Sequence, residues 1–207
     1  MKKIFWFVFL ILMIISSCVA LYTELTEKHS YKVQLIIDYS KNDENGKAAQ
    51  VFNDLNQKEL NEFEKYLSKN PKDVPPIYFI LMADYVFTKN KDKAVLWYYI
   101  GRVRSTEDVM MCVDSSAAEQ INLYPFMAPK TLGYLAKIEP KEKLEKYLGK
   151  IYAKALAWDI SHPERVSPRW ACYHGLQAFD KAPELKSDSE FENIQKEIRD
   201  SVKKNIK

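Results

Sequence analysis

A mostly α-helical fold, an irregular helical bundle with one short N-terminal strand, is what three patterns in this sequence predict. Leu144, Tyr147, Leu148, Ile151, Tyr152, Ala155 and Leu156 follow the 3, 4, 7, 8, 11, 12 spacing that lines one side of a helix. Asn56 with Glu59, and Ser187 with Glu190, have the polar-then-acid spacing of capping boxes. Period-two alternation is confined to one segment, Tyr31 to Tyr39, where Tyr31, Val33, Leu35, Ile37 and Tyr39 face Lys32, Gln34, Ile36 and Asp38.

Taken in order, residues 18–30 read as a polar tether and 31–207 as one domain. The alternating segment ends at the turn-rich Lys41-Asn-Asp-Glu-Asn-Gly46; it either pairs with Ala48 to Asn53 or is overridden into helix. A helix opens at Asn56, puts Leu60, Phe63 and Leu67 on one face, and stops at Asn70-Pro71. The next runs from Pro75-Pro76 to about Thr88, and after the turn Lys89 to Asp92 another spans Lys93 to about Arg104. Ser116 and Glu119 suggest a further cap, and Pro125 and Pro129 break up the stretch after it. A long helix begins at Lys141, and a last one at Ser187 turns Phe191, Ile194, Ile198 and Val202 inward.

The helices from Pro76 to Arg104 are apolar nearly all round, which places them at the centre with cover on both sides. Asp84 lies within that pair, and burying a carboxylate without a partner costs at least several kcal/mol. The expectation is a structural ion pair, with Arg102 or Arg104 as the partner, or else a partly exposed aspartate.

The first 18 residues are two lysines, twelve unbroken apolar residues from Ile4 to Ile15, then Ser16, Ser17 and Cys18. This order resembles the signal peptide and lipobox of a bacterial lipoprotein, with Ile15 where leucine is usual and Ser17 where glycine or alanine is usual. The resemblance implies removal of residues 1–17, palmitate-type acylation at Cys18 and an envelope location. Val19 after Cys18 is not the aspartate that retains lipoproteins in an inner membrane, so the outer membrane, facing the periplasm, is the expected site. A spanning anchor is the competing reading, and needs roughly 20 apolar residues.

Without Lys2 and Lys3, 29 basic side chains stand against 28 acidic ones, a formal charge of +1. Nucleic acid as a partner is disfavoured by that balance. The basic residues are 26 Lys and 5 Arg, so the charge reads as a solvated lysine surface. With Cys18 acylated, Cys112 and Cys172 remain, an even pair that suits a disulfide in an oxidising compartment, against the alternative of two buried thiols.

Tyr78, Leu81 and Tyr85 on one central helix and Ala94, Tyr98 and Gly101 on the next are similar in offset to a tetratricopeptide repeat, and Lys93-Ala94-x-x-Trp97-Tyr98 resembles a Sel1-like second helix. Met82 where the repeat has a small residue, and the lack of a proline at Thr106, depart from the pattern. A simple antiparallel hairpin accounts for the same residues. Ala157-Trp158-Asp159, Ser167-Pro168-Arg169-Trp170, His174-Gly175, Ala94-Val95-x-Trp97-Tyr98 and Cys112-x-Asp114 resemble words in a family of bacterial secreted or lipid-anchored proteins. Some of that family are suspected immunity factors of antibacterial toxins, and the resemblance implies no catalytic residues.

Nucleophile elbows, zinc-protease helices, phosphate loops and calcium loops are not found in the sequence, and His29, His162 and His174 are too dispersed to suggest a metal site. The expectation is therefore a protein-binding module on a membrane, not an enzyme, with no cofactor and another protein as partner. The alternative is a small envelope hydrolase or ligand-binding lipoprotein, for which Asp114, Asp159, Arg169 and His174 are the polar residues that would have to converge.

Overall fold

The computed structural model describes residues 29–204; the expected signal peptide 1–17, Cys18 and the expected tether as far as residue 28 lie outside the described residues. The described chain is a helical bundle of ten α-helices, with no strand among the described residues. The segment expected as a strand is helix α1, Tyr31–Lys41. Its buried residues are Val33, Ile36, Ile37 and Ser40, a 3, 4, 7 spacing, so Ile36 goes inward where the alternation had put it with the polar set. Ala48 to Asn53, the would-be partner, lies in α2, Asn45–Asn53, and Asp43 at φ 58° turns the chain between the two.

Helix α3, Gln57–Lys69, carries the expected capping box: Asn56 Oδ1 accepts from the amides of Lys58 and Glu59 at 2.9 and 3.0 Å, and Glu59 accepts from the Asn56 amide at 2.8 Å. Helices α4, Ile77–Phe87, and α5, Lys91–Met110, make the central hairpin. Their close approach depends on Gly101, where a Cβ would sit 2.9 Å from the Ile80 nitrogen and 3.0 Å from Phe79 Cβ. Tyr78, Phe79, Ile80, Met82, Val95, Tyr98 and Ile100 are buried in one core with Val33, Ile36, Phe63 and Leu67 on one side and Ile151 and Ala155 on the other.

Past α5 comes a 3-10 helix, Ser115–Leu123, then α6, Tyr124–Met127, and α7, Pro129–Leu135. The 3-10 helix is capped by Asp114 and not by Ser116: Asp114 Oδ1 accepts from the Ser116 amide and hydroxyl at 3.0 and 2.6 Å. Asp84 has neither expected arginine. Its carboxylate caps α7, accepting from the amides of Lys130 and Thr131 at 2.9 and 2.8 Å and from the Thr131 hydroxyl at 2.9 Å.

Helix α8, Lys141–Ser161, starts where the sequence pattern starts. Short α9, Arg169–Cys172, and a 3-10 turn, Leu176–Phe179, precede α10, Asp188–Lys204, whose box forms between Ser187 and Glu190. Cys112 and Cys172 are bonded, Sγ to Sγ 2.08 Å, within a small apolar cluster of Val109, Ala117, Trp170 and Ala171. The disulfide ties the end of α5 to α9.

Candidate functional site

A groove of about 640 Å³ opens where four segments meet. Pro75 and Pro76 start α4 so that half-buried Ile77 and Leu81, one turn apart, form its first wall. Leu123 and Met127 form a second, Trp170, Tyr173 and His174 a third, and the turn from Asp43 to Lys47 a lip. Gln120 fixes the floor by donating from Nε2 to the carbonyls of Ala117 and Ala171 at 3.1 and 2.9 Å. The walls are almost wholly apolar. A concave apolar site with few polar groups is the usual shape of a binding site.

Outside the groove lining, three large apolar side chains face solvent, Phe126 at 77%, Leu176 at 71% and Phe179 at 89% exposed. The turn that carries the last two is pinned: the Leu176 amide donates to Ser116 Oγ at 2.8 Å and the Gln177 amide to Asp114 Oδ2 at 2.7 Å. The bonds that Asp114 accepts, the Ser116 hydroxyl first, hold its carboxyl below the ordinary carboxylate range. Gly175 is required here because a Cβ would run into the Asp114 carboxylate. Asp114 is thus a structural cap that also braces an apolar knob.

Behind the groove lies a buried ion network. Asp159, fully buried, accepts from Arg104 Nε at 2.9 Å, from Arg199 Nε and Nη2 at 2.9 and 2.7 Å, and from Arg165 Nη2 at 3.4 Å. Arg165 also reaches Glu107 at 2.8 Å and Asp108 at 3.1 Å. Asp108 takes the indole N–H of Trp170 at 2.7 Å, so the network holds a groove wall from behind. Arg104 further donates to the His162 carbonyl, lies 5.0 Å from the Trp158 ring centroid, and is buried on α5. Three guanidiniums face three carboxylates, a neutral set when all are ionised. Burial, with the like charge of Arg165, lowers the Arg104 pKa; on Arg165 burial opposes the charge, but Asp108, Glu107 and Asp159 outweigh it and raise the pKa.

Glu107 is served worst. Its Oε1 accepts no hydrogen bond and the nearest cation, Arg199 Nε, is 3.8 Å away. Burial first, then the charge of Asp159, push its pKa up to about 7. The folded chain therefore keeps a proton between about 4.5 and 7 that the unfolded chain has shed, and stability falls as pH rises through that window. Urea unfolding midpoints of wild type and Glu107→Gln, compared from pH 5 to 8, are expected to diverge, wild type losing ground as pH rises. A constant gap would contradict this.

The four polar residues singled out from the sequence do not converge. Asp159 is sealed in the ion network and Asp114 braces the knob. His174 reaches the groove wall, its ring edge-on to Trp170 at 6.4 Å, and burial lowers its pKa. Arg169, one residue before Trp170, is exposed, and its side chain has no partner among the described residues. Glu107, Asp108, Arg165 and Arg199 carry no motif that singles them out in the sequence. The available signal is scarcity: against 26 lysines in the sequence, the 5 arginines are the residues suited to buried, many-bonded pairs.

Among the described residues no group of His, Cys, Asp and Glu is placed to hold a metal ion, and no helix is long and apolar enough to cross a membrane. Comparison with known protein families, with curated proteins and with solved structures finds no match to this chain.

Proposed function

We propose that this chain is a protein-binding module, held at the cell envelope by acylated Cys18 and facing the periplasm, that grips another protein through the groove between α4, the 3-10 helix and α9. Inhibition of an antibacterial toxin, conferring immunity, is the most specific form of this reading. One observation carries it: a rigid groove of about 640 Å³ with apolar walls and large exposed apolar side chains at its rim. Exposed apolar patches of that kind mark interaction sites. The bonds of Gln120 and Trp170 preorganise it, which limits the entropy lost on binding.

The test is co-purification of the full chain with the product of the adjacent gene. A stoichiometric complex is expected, and Leu123→Asp, which puts a carboxylate on the groove's second wall, is expected to weaken it by about 30-fold or more, the scale of a contact worth roughly 2 kcal/mol. Absence of a complex with wild type, or equal binding by Leu123→Asp with unchanged helical circular dichroism, would overturn the proposal.

A further inference from the structure

Leu176 and Phe179 stand three residues apart in a 3-10 turn, the spacing at which side chains eclipse, so the two exposed side chains form one apolar edge. The other side of the turn faces the protein, where Gln177 and Ala178 line a narrow crevice with Val113 and Pro183. The backbone beneath the edge needs little from water. The amides of Leu176 and Gln177 donate to Ser116 and Asp114, that of Ala178 donates to the Gly175 carbonyl at 3.2 Å, and those of Asp180 and Lys181 both donate to the Gln177 carbonyl at 3.0 Å. A turn pressed into a bilayer strands any donor without an acceptor, and these five carry their own.

Area and reach name the occupant. Two side chains, at ~150–250 Å² for the aromatic one, fall well short of the ~800 Å² that each partner buries in a stable protein interface. A bilayer asks for no such area when the domain is already tethered to it. Ten residues separate Cys18 from His29, the first described residue, so an acylated Cys18 holds the start of the domain within about 40 Å of lipid, roughly the width of a domain of this size. At that effective concentration, a contact too weak to recruit the chain is enough to choose which face it turns to the membrane. The charges near the edge balance, Asp180 and Glu184 against Lys181 and Lys186, with Lys181 3.5 Å from Glu184 and Lys186 Nζ donating to the Met110 carbonyl at 2.7 Å. Apolar insertion, and not attraction to anionic lipid, is the chemistry on offer.

We infer that the Leu176–Phe179 edge dips into the bilayer that anchors the chain, its two apolar side chains at the headgroup and acyl boundary and Asp180 and Lys181 among the headgroups, so that the tethered domain keeps one orientation. The inference rests on the anchoring at Cys18 proposed above and makes no use of the groove.

The test takes the full chain, expressed in a bacterial host and reconstituted into vesicles of phosphatidylethanolamine and phosphatidylglycerol. With p-benzoylphenylalanine in place of Phe179, photolysis is expected to give lipid adducts, about fivefold fewer when Leu176→Asp is added. The yield should hold within about twofold between about 0.05 and about 0.5 M salt, since screening does not touch an apolar contact. Adducts on protein in place of lipid, a yield that Leu176→Asp leaves unchanged, or one that collapses in high salt overturns the insertion. Phe179→Trp supplies a second readout: its difference spectrum against wild type is expected to shift to the blue in vesicles and to be quenched by lipids with brominated acyl chains, and the spectrum of a water-exposed indole overturns the inference. Mass spectrometry of Cys18 separates this inference from the reading it rests on. An acylated chain without lipid adducts sinks the insertion alone, and a chain without acyl groups that still gives them sinks the anchoring and leaves the insertion standing.

Discussion

Asp159→Ala is expected to lower stability by about 3–5 kcal/mol, the cost of removing one partner from a buried charge network. The loss lies in the cations left behind. Arg104, Arg165 and Arg199 all donate to this one carboxylate, and the side chains of Arg104 and Arg165 are 1% and 7% exposed, so neither can reach water when it is gone. At about 2–4 °C per kcal/mol for a chain of this length, the thermal midpoint should fall by roughly 10 °C. Asp159→Asn separates charge from shape: it keeps the volume and one acceptor but leaves one positive charge in excess, and should fall almost as far. A loss under about 1 kcal/mol for Asp159→Ala would mean that the arginines find other partners and that the network is not closed. Because Arg199 anchors α10 here, and its Ile198 and Val202 meet only a small apolar cluster of Val103, Tyr152 and Leu156, amide exchange in α10 should accelerate first.

The paired change Cys112→Ala, Cys172→Ala is expected to cost about 4 kcal/mol, from the chain entropy regained by an unfolded state no longer cross-linked across a separation of 60 residues. Denaturant midpoints with and without reductant check the wild type, and should coincide for the double alanine variant. The loss has a local face too. The bond secures α9, and with it Trp170, Tyr173 and His174 on the groove wall, so partner affinity should fall under conditions where the chain is still folded. Unchanged affinity in the folded double variant would show that the Trp170 to Asp108 bond holds that wall alone.

What is legible in the sequence is local. Asn56 and Glu59, or Ser187 and Glu190, sit three residues apart and satisfy each other without reference to the rest of the chain, and Leu144 to Leu156 repeats its pattern for several turns. Helix α1 misleads because Val33, Leu35 and Ile37 alternate while the same stretch also fits 33, 36, 37, 40; only burial decides between the periods. The last turns of α5 look too charged for a central helix. Glu107 and Asp108 belong there because Arg165 and Trp170, some 60 residues away, complete them. The groove cannot be read at all, since Ile77, Leu81 and Trp170 have the same residue types as the core, and emptiness leaves no mark in a sequence.

The bond between Cys112 and Cys172 also makes a ring of everything between them. That ring includes α8 and the surface loop from His162 to Pro168, with exposed Pro163 and Glu164. A single cut between Pro163 and Glu164 yields two fragments that remain one molecule, held covalently as well as by the ion pairs of Arg165 with Asp108 and of Arg199 with Asp159, which cross the cut. On a non-reducing gel such a nicked chain runs undivided, because the bond keeps either half from leaving.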